Sequence, residues 1–415
     1  MKHAHRTIVG GPGTGKTTTL CNAVKEALAQ QFSAQETLFL GFSGGSTQLA
    51  AKILKDYNIN CPITTLPGIC AGLIRAYYRQ LGFNEPPRLI AGKERQGLLQ
   101  TASAEVNEKM FPTEPGYEQA IERSVQKHMR QNNVVGIQDV CGVITSNFEN
   151  KDISQYFAKI KLLVIDDAQD LSHSEWQLIK KLRVLGTQTI LAGDANSSTI
   201  ADAPSKKLLE DKTETVVKSF RCKSWVCRFF NQLSEFNPTR NPYSIDPASE
   251  SQLSSQNFAI QVDDQNQQLQ WIAKQTLNCL QTNPNVTVGI ICRNTNESLQ
   301  TAEYLNKAGI QMRLLRTRSR IESIQPTSER VIVTTPVDAK GLEFSAVIIP
   351  SAVEGIWPYY RENFTDARHQ FLAAVGRAKS VLFFVVPNIM SGKTTKISRF
   401  IKEGNIPDLT VRGKI

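Results

Sequence analysis

The stretch Gly10-Gly-Pro-Gly-Thr-Gly-Lys-Thr17 constrains this chain more than any other. It follows the short run Thr7-Ile8-Val9 and precedes a helical pattern that opens at Thr18 and runs through Ala23, Ala27 and Leu28. Strand, glycine-rich turn and helix in this register make a phosphate-binding loop. Gly10, Gly11, Gly13 and Gly15, with Thr14 among them, let the backbone turn its N–H groups inward as an anion nest. The helix N-terminus, at Thr18, adds partial positive charge. Lys16 supplies a mobile cation for the outer phosphates, and the Thr17 hydroxyl can ligate Mg²⁺. A glycine loop that merely turns the chain is the weaker reading, because all three parts are in place. The expectation is a nucleoside triphosphate site. A second phrase, Ser391-Gly-Lys-Thr-Thr395, has Pro387 at the upstream glycine position and reads as a solvated segment of a basic tail.

At 415 residues the chain has room for two or three domains, each with its own core. No apolar run approaches the ~20 residues that span a bilayer, and the start, Met1-Lys-His-Ala-His-Arg6, leads straight into a strand and is no signal peptide. The eight cysteines are scattered without a Cys-x-x-Cys pair, which points to reduced thiols in the cytoplasm and away from disulfides or zinc. His3 and His5 read as a frayed terminus. A net charge of +10 favours a polyanionic partner, of which nucleic acid is the commonest.

Along the chain, Leu38-Phe-Leu-Gly-Phe42 reads as a buried strand, followed by a helix over residues 46–57, a strand at Ile63-Thr-Thr-Leu66 and a helix over 69–81. This alternation predicts a parallel sheet covered on both faces. From residue 84 to 156 strand signals fade and helical stretches at 92–109 and 117–131 dominate, which reads as a helical insertion. Strand character returns at Lys161-Leu-Leu-Val-Ile165, ending on Asp166-Asp167, and at Thr189-Ile-Leu-Ala192, ending on Gly193-Asp194. Residues 233–257 are rich in Pro, Ser and Asn and read as loops. A second series of alternating strands and helices starts near Phe258 and runs to a strand over residues 380–386. The predicted division is 1–83 with 157–219 as a first domain, 84–156 as its insertion, 220–387 as a second domain and 388–415 as the tail.

An acidic pair at the end of an apolar strand, downstream of a phosphate loop, is the expected Mg²⁺ partner. Asp166 would hold the metal, and Asp167 would orient or deprotonate the attacking water. Asp194 ends the neighbouring strand and can reach the same crevice. Arg221 and Arg377 lie in the second half, as fingers reaching across a cleft would. The basic run Arg313, Arg316, Arg318 and Arg320 divides evenly between a solvated face and phosphate contact.

The neighbours of these residues carry a resemblance. Leu163-Val-Ile-Asp-Asp-Ala-Gln-Asp-Leu171 resembles motif II of superfamily 1 helicases of the UvrD/Rep/PcrA type. Thr335-Pro-Val-Asp-Ala-Lys-Gly-Leu-Glu-Phe344, with Glu354-Gly-Ile-Trp-Pro358 behind it, is similar to their motif V, and Ala374-Val-Gly-Arg-Ala-Lys379 to motif VI. Val288-Gly-Ile-Ile-Cys-Arg-Asn294 resembles a strand of their second motor domain. The resemblance implies an α/β chain of two RecA-like, doubly wound parallel-sheet motor domains, with the helical insertion in the first. ATP and Mg²⁺ would be clamped between them and single-stranded DNA, favoured over RNA, would cross both. It implies γ-phosphate contacts for Arg221 and Arg377, nucleotide contacts for Gly341 and Glu343, the latter near the ribose, and base stacking on Phe220. Candidate nucleic-acid contacts are Phe42, Thr65, Arg316, Arg318 and Trp357. Tyr359, Tyr360 and Phe364 are further aromatic candidates. A monomer is expected, with protein partners in replication or repair and no membrane.

The departures from the family pattern concern sensing and grip. Asp167 replaces a glutamate, and Ser197 stands where motif III has a glutamine. Ile200 and Asp202 occupy positions of DNA-stacking aromatics, Pro67-Gly68 replaces His-Ser, and Val337 replaces a histidine. No upstream glutamine motif that reads adenine is expected ahead of the first strand, and loose base selectivity is expected with it. Residues 319–328 stand where relatives insert a large accessory domain. The leading expectation is a compact ATP-driven translocase or helicase on single-stranded DNA. The alternative is a helicase-derived ATP-dependent switch or loading factor working through protein partners. A kinase or transport ATPase would need neither the Lys340-to-Phe344 phrase nor a second domain bearing Arg377.

Overall fold

The computed structural model describes residues 5–42, 44–199, 212–237, 243–248, 257–316, 329–404 and 410–412. In chain order the first half contains β1 (Arg6–Val9), α1 (Lys16–Gln30), β2 (Thr37–Leu40), α2 (Gly44–Asp56), β3 (Ile63–Thr64) and α3 (Leu66–Ala76). Then come β4 (Arg88–Ile90), α4 (Gly92–Asn107), α5 (Tyr117–Gln131), β5 (Val134–Gly136), α6 (Val140–Ser146) and α7 (Lys151–Ala158). β6 (Leu162–Ile165), α8 (His173–Val184), β7 (Gln188–Gly193) and β8 (Lys212–Thr215) complete it. The second half contains β9 (Lys218–Ser219), α9 (Ser224–Ser234), β10 (Asp246–Pro247), β11 (Asn257–Asp264), α10 (Gln265–Thr282), β12 (Val288–Ile291) and α11 (Thr295–Lys307). It ends with β13 (Arg313–Leu314), β14 (Val331–Thr334), β15 (Phe344–Ile349), α12 (Phe364–Val375), β16 (Ala378–Met390), β17 (Lys393–Thr394), α13 (Arg399–Glu403) and β18 (Thr410–Arg412).

The first sheet is entirely parallel, in the order β3-β2-β6-β7-β1-β8. Side chains alternate across a strand, and both faces are buried here. Leu38, Leu40, Leu163 and Ile165 enter one core, while Phe39, Leu162 and Val164 enter the other with Ile8, Leu20 and Val24. Sheets buried on both faces need near-continuous apolar strands, as Leu162–Ile165 is. β7 lies between the strand that feeds the phosphate loop and the strand that ends on Asp166, so the carboxyl ends of all three open on one crevice.

The second sheet runs β13-β14-β12-β15-β16-β11-β18 in parallel, with β17 folding back against β16. It too is covered on both faces: Ile291, Val347, Ile349 and Phe384 enter one core, and Ile290, Ile348, Phe383 and Val385 the other. The fold is thus α/β with two RecA-like doubly wound sheets.

Three readings change. Residues 84–156 are mostly helical but carry a parallel strand pair, β4 with β5. They also share one core with the first sheet, where Ala102, Val125, Met129 and Ile144 pack with Leu40 and Leu163. Ser391 to Thr394 are exposed, as the solvated reading has it, but the tail as far as Gly404 is anchored. Ser391 and Gly392, both at positive φ, turn the chain into the β16–β17 hairpin. α13 then buries Phe400 against Phe371, ring centroids 5.4 Å apart, because an apolar pair inside a basic stretch can still be anchored on one face. Finally, residues 233–257 include β10, which pairs with β9.

Candidate active site

The phosphate loop leaves β1 at Val9, and the Gly10 amide donates to the Gly193 carbonyl at 3.1 Å, which ties the loop to the end of β7. Gly13 and Gly15 both sit in the left-handed region, φ +72° and +80°. A Cβ on Gly13 would lie 2.3 Å from the Cβ of Arg221, so the loop needs glycine there for conformation and for close approach. Gly15 caps α1, which starts at Lys16, two residues before the position expected at Thr18. The Lys16 ammonium donates to the Gly11 carbonyl at 2.7 Å, folding across the mouth of the nest. Burial lowers its pKa, against the pull of Asp194, Asp167 and Asp166.

Opposite the loop, the Thr17 hydroxyl donates to Asp166 Oδ2 at 2.5 Å. Burial, then the charge of Asp167, pushes the Asp166 carboxyl up to about 7. A hydroxyl beside a carboxylate is the hard oxygen set that Mg²⁺ accepts, its other ligands being phosphates and water. The residues therefore fit the metal. Asp167 takes a left-handed conformation, φ 53°, and its amide donates to Asp166 Oδ1 at 3.0 Å. Gln169 donates to Asp167 Oδ1 at 3.4 Å and accepts from the Asp194 amide at 3.0 Å.

The second half closes the crevice. The Phe220 amide donates to the Gly13 carbonyl at 2.9 Å, and the Ser219 hydroxyl donates to the Pro12 carbonyl at 2.8 Å. This docking leaves the Phe220 ring 76% exposed at the mouth, free to receive a flat ligand. Arg221 donates to the Gly376 carbonyl at 3.3 Å and pairs with Glu343 at 2.5 Å. Lys379 pairs with the other oxygen of Glu343 at 3.1 Å. Burial works against the Glu343 charge, but Arg221 and Lys379 outweigh it and hold the carboxyl below its usual range. Burial, and then the like charge of Arg221, lowers the pKa of Arg377, whose Nε donates to the Ala373 carbonyl at 3.2 Å. Two half-buried guanidiniums facing one crevice suit an anion.

Together these residues line a cavity of about 560 Å³, within the usual range of small-molecule sites. Gly13, Thr14, Gly15, Lys16, Thr17 and Thr18 come from the loop, Asp166 and Asp167 from the first sheet, and Phe220, Arg221, Gly341, Glu343 and Arg377 from the second half. Gly10 and Gly11 stand behind the loop, against Val216 and Ile245 respectively. Gln169, Asp194, Ser197 and Lys379 also line the cavity, although no role was read for Gln169 or Lys379 from the sequence. The signal for Gln169 lay inside the quoted Asp-Asp-Ala-Gln-Asp run.

The candidate nucleic-acid contacts do not gather in the same way. Trp357 is completely buried, edge-on to Phe371 at 5.1 Å with the Arg293 guanidinium over its ring, so it is a core side chain and has no face for a base. Phe42 is 6% exposed and the Lys340 ammonium sits 4.2 Å from its ring centroid. Lys340 pairs with Asp170, joining the Lys-Gly-Leu-Glu-Phe phrase to the acidic motif. Thr65 caps α3, accepting from the Gly68 amide. Arg316 is exposed just past β13, while Arg318, Arg320, Ile200, Asp202 and residues 319–328 lie outside the described residues. Tyr359, at 36% exposure, Tyr360, at 84%, and Phe364, at 44% and covered by Arg399, are the outward aromatics of that region. The eight cysteines are free, seven of them buried. Among the described residues no helix is long and apolar enough to cross a membrane.

Residues 1–201 match the family model described as an AAA domain, and residues 315–388 match that of the UvrD-like helicase C-terminal domain. The chain is similar to the ATP-dependent DNA helicase Rep of Buchnera aphidicola subsp. Schizaphis graminum, 33% identical over 73 residues. That match covers 17% of this chain and 11% of the relative, so only a small part of the relative's length is spanned. Among solved structures, the C-terminal domain of a possible DNA helicase from Lactobacillus plantarum WCFS1 aligns with 46% of this chain and 98% of its own at 21% identity and a TM-score of 0.34.

Proposed function

The chain belongs to the superfamily 1 helicases of the UvrD/Rep type, and from that premise we propose that it is an ATP-driven motor on single-stranded DNA. The observation that carries the reading is the cavity shared by both halves, with a phosphate nest on one wall and two arginines on the other. Mg²⁺, held through Thr17 and Asp166, would supply Lewis-acid charge at the phosphates. The residues of the chain do the rest. The loop amides and Lys16 hold the phosphate tail and follow charge onto the transferring group. Asp167, steadied by Gln169, orients the attacking water and takes its proton. Arg221 and Arg377 neutralise charge that develops toward the leaving group, and they come from the second half, so hydrolysis requires the halves to be docked. Phe220 stacks on the base.

A motor needs hydrolysis to change the relation of the two halves, and contacts near the crevice would respond to it. Arg221 touches Glu343 and Gly376, and Lys340 bridges to Asp170. Lys16→Ala tests the site: it should abolish hydrolysis while the folded state persists, because the nest alone lacks the cation. Normal turnover in that variant would refute the assignment of the loop.

A further inference from the structure

Asp194 is the best-anchored carboxylate in the cavity. Its Oδ1 accepts from the Asn196 amide at 2.9 Å and from the Tyr243 hydroxyl, and its Oδ2 accepts from the Ser197 hydroxyl at 2.6 Å. Ser197 occupies the position at which a sensing glutamine was expected, and its side chain is spent on Asp194. Tyr243 arrives from the second half, on the short segment that ends in β10, 49 residues beyond its partner. That segment is rigidly held. The Ile245 amide donates to Asn231 at 2.9 Å, Asn231 donates back to the Ile245 carbonyl at 3.0 Å, and a Cβ on Gly11 would meet the Ile245 side chain at 2.5 Å. One segment therefore presses on the phosphate loop through Ile245 and on the end of β7 through Tyr243.

The consequence runs inward. With its carboxylate fixed, Asp194 presents its amide to Gln169 Oε1. That acceptor role decides which way the glutamine amide faces, leaving its NH₂ to point at Asp167. We propose that Tyr243 is a positioning residue for hydrolysis: through Asp194 and Gln169 it makes the placement of the Asp167 carboxylate depend on the docking of the second half. The inference rests on the reading of Asp167 as the residue that activates water. It also supplies what the missing glutamine at position 197 would have supplied, a connection between nucleotide chemistry and the position of the second half.

Tyr243→Phe removes one oxygen and is measured in the full chain by single-turnover ATP hydrolysis and by nucleotide affinity, with thermal melting to confirm folding. The hydrolysis rate should fall roughly tenfold, the scale of one hydrogen bond to a charged group, with affinity unchanged. Gln169→Leu, made at the other end of the connection, should show the same loss, and the double variant should be no slower than either single one, since both break one chain of contacts. An unchanged rate in either single variant, additive losses in the double, or a parallel loss of affinity and rate would each overturn the proposal. The wild-type chain and Lys16→Ala run alongside separate the levels. An inactive wild type overturns the motor reading and this proposal with it, whereas an active wild type with an indifferent Tyr243→Phe overturns this proposal alone.

Discussion

Arg377 shows how a single residue divides binding from chemistry. Its guanidinium lies half-buried beside Arg221, with Nε donating to the Ala373 carbonyl, an arrangement of like charges that costs free energy until negative charge appears. Arg377→Ala should thus lower turnover about 10³–10⁵-fold, the range of such fingers, with far less effect on nucleotide affinity. Single-turnover hydrolysis and nucleotide binding on the same variant check this, and equal losses would mean a ground-state contact. Trp357 carries a second prediction at this scale. Because it is fully buried against Phe371 and Phe384's cluster, Trp357→Ala should cost about 3–5 kcal/mol of stability, read as a fall in melting temperature. A variant of normal stability and weakened DNA affinity would restore the stacking role expected from the sequence. The two residues also mark what the sequence discloses. Arg377, Lys16 and the acidic pair were legible because phosphate chemistry dictates residue type and spacing. An aromatic residue has the same letter whether it faces water or the core, and the placement of Trp357 depends on packing that no local pattern records.

Elements differ in the same manner. The strands ending on Asp166 and Asp194 were legible because burial on both faces leaves long apolar runs. β4, β5, β8 and the β9–β10 pair were not, being two to four residues long and held by partners distant in sequence. The α4–α5 pair offers a test in solution. Glu105 accepts from Lys127 at 2.8 Å, Ser124 at 3.0 Å and His128 at 3.0 Å, with Lys109 at 3.7 Å beside it. These bonds, that of Lys127 first, lower its pKa from 4.5 to about 2. A carboxyl depressed on folding stabilises the folded state above its unfolded pKa and loses that effect as pH falls through the folded one. The docking of α4 on α5 should hence weaken between about pH 4.5 and pH 2, seen as loss of amide hydrogen-exchange protection in both helices. In Glu105→Gln the pair should be looser at neutral pH and change little over that window. Identical acid profiles for the two proteins would deny Glu105 the role.

At the scale of the whole molecule, two sheets of the same architecture meet on one nucleotide cavity, and contacts join the phosphate loop and the acidic motif to Arg221, Lys340 and Gly376. Gly13 packs on Arg221, Pro12 on Gly376, and Asp170 on Lys340. A polymer bound to both halves would therefore bias their docking, and with it the placement of Arg221, Arg377 and, through Tyr243, Asp167. The net charge of +10, with Phe42 and Trp357 withdrawn into the protein, points to a grip dominated by phosphate contacts, whose affinity on single strands falls with salt by a slope of about −0.7 per contact. The measurement that bears most directly on the motor reading is steady-state ATP hydrolysis with and without single-stranded DNA, repeated across a salt series. The account predicts stimulation of about tenfold or more, within the ordinary range of coupling between sites, with the DNA concentration for half-stimulation rising steeply with salt. Hydrolysis that is the same with and without DNA at every salt concentration would contradict it and favour a switch that answers to a protein partner.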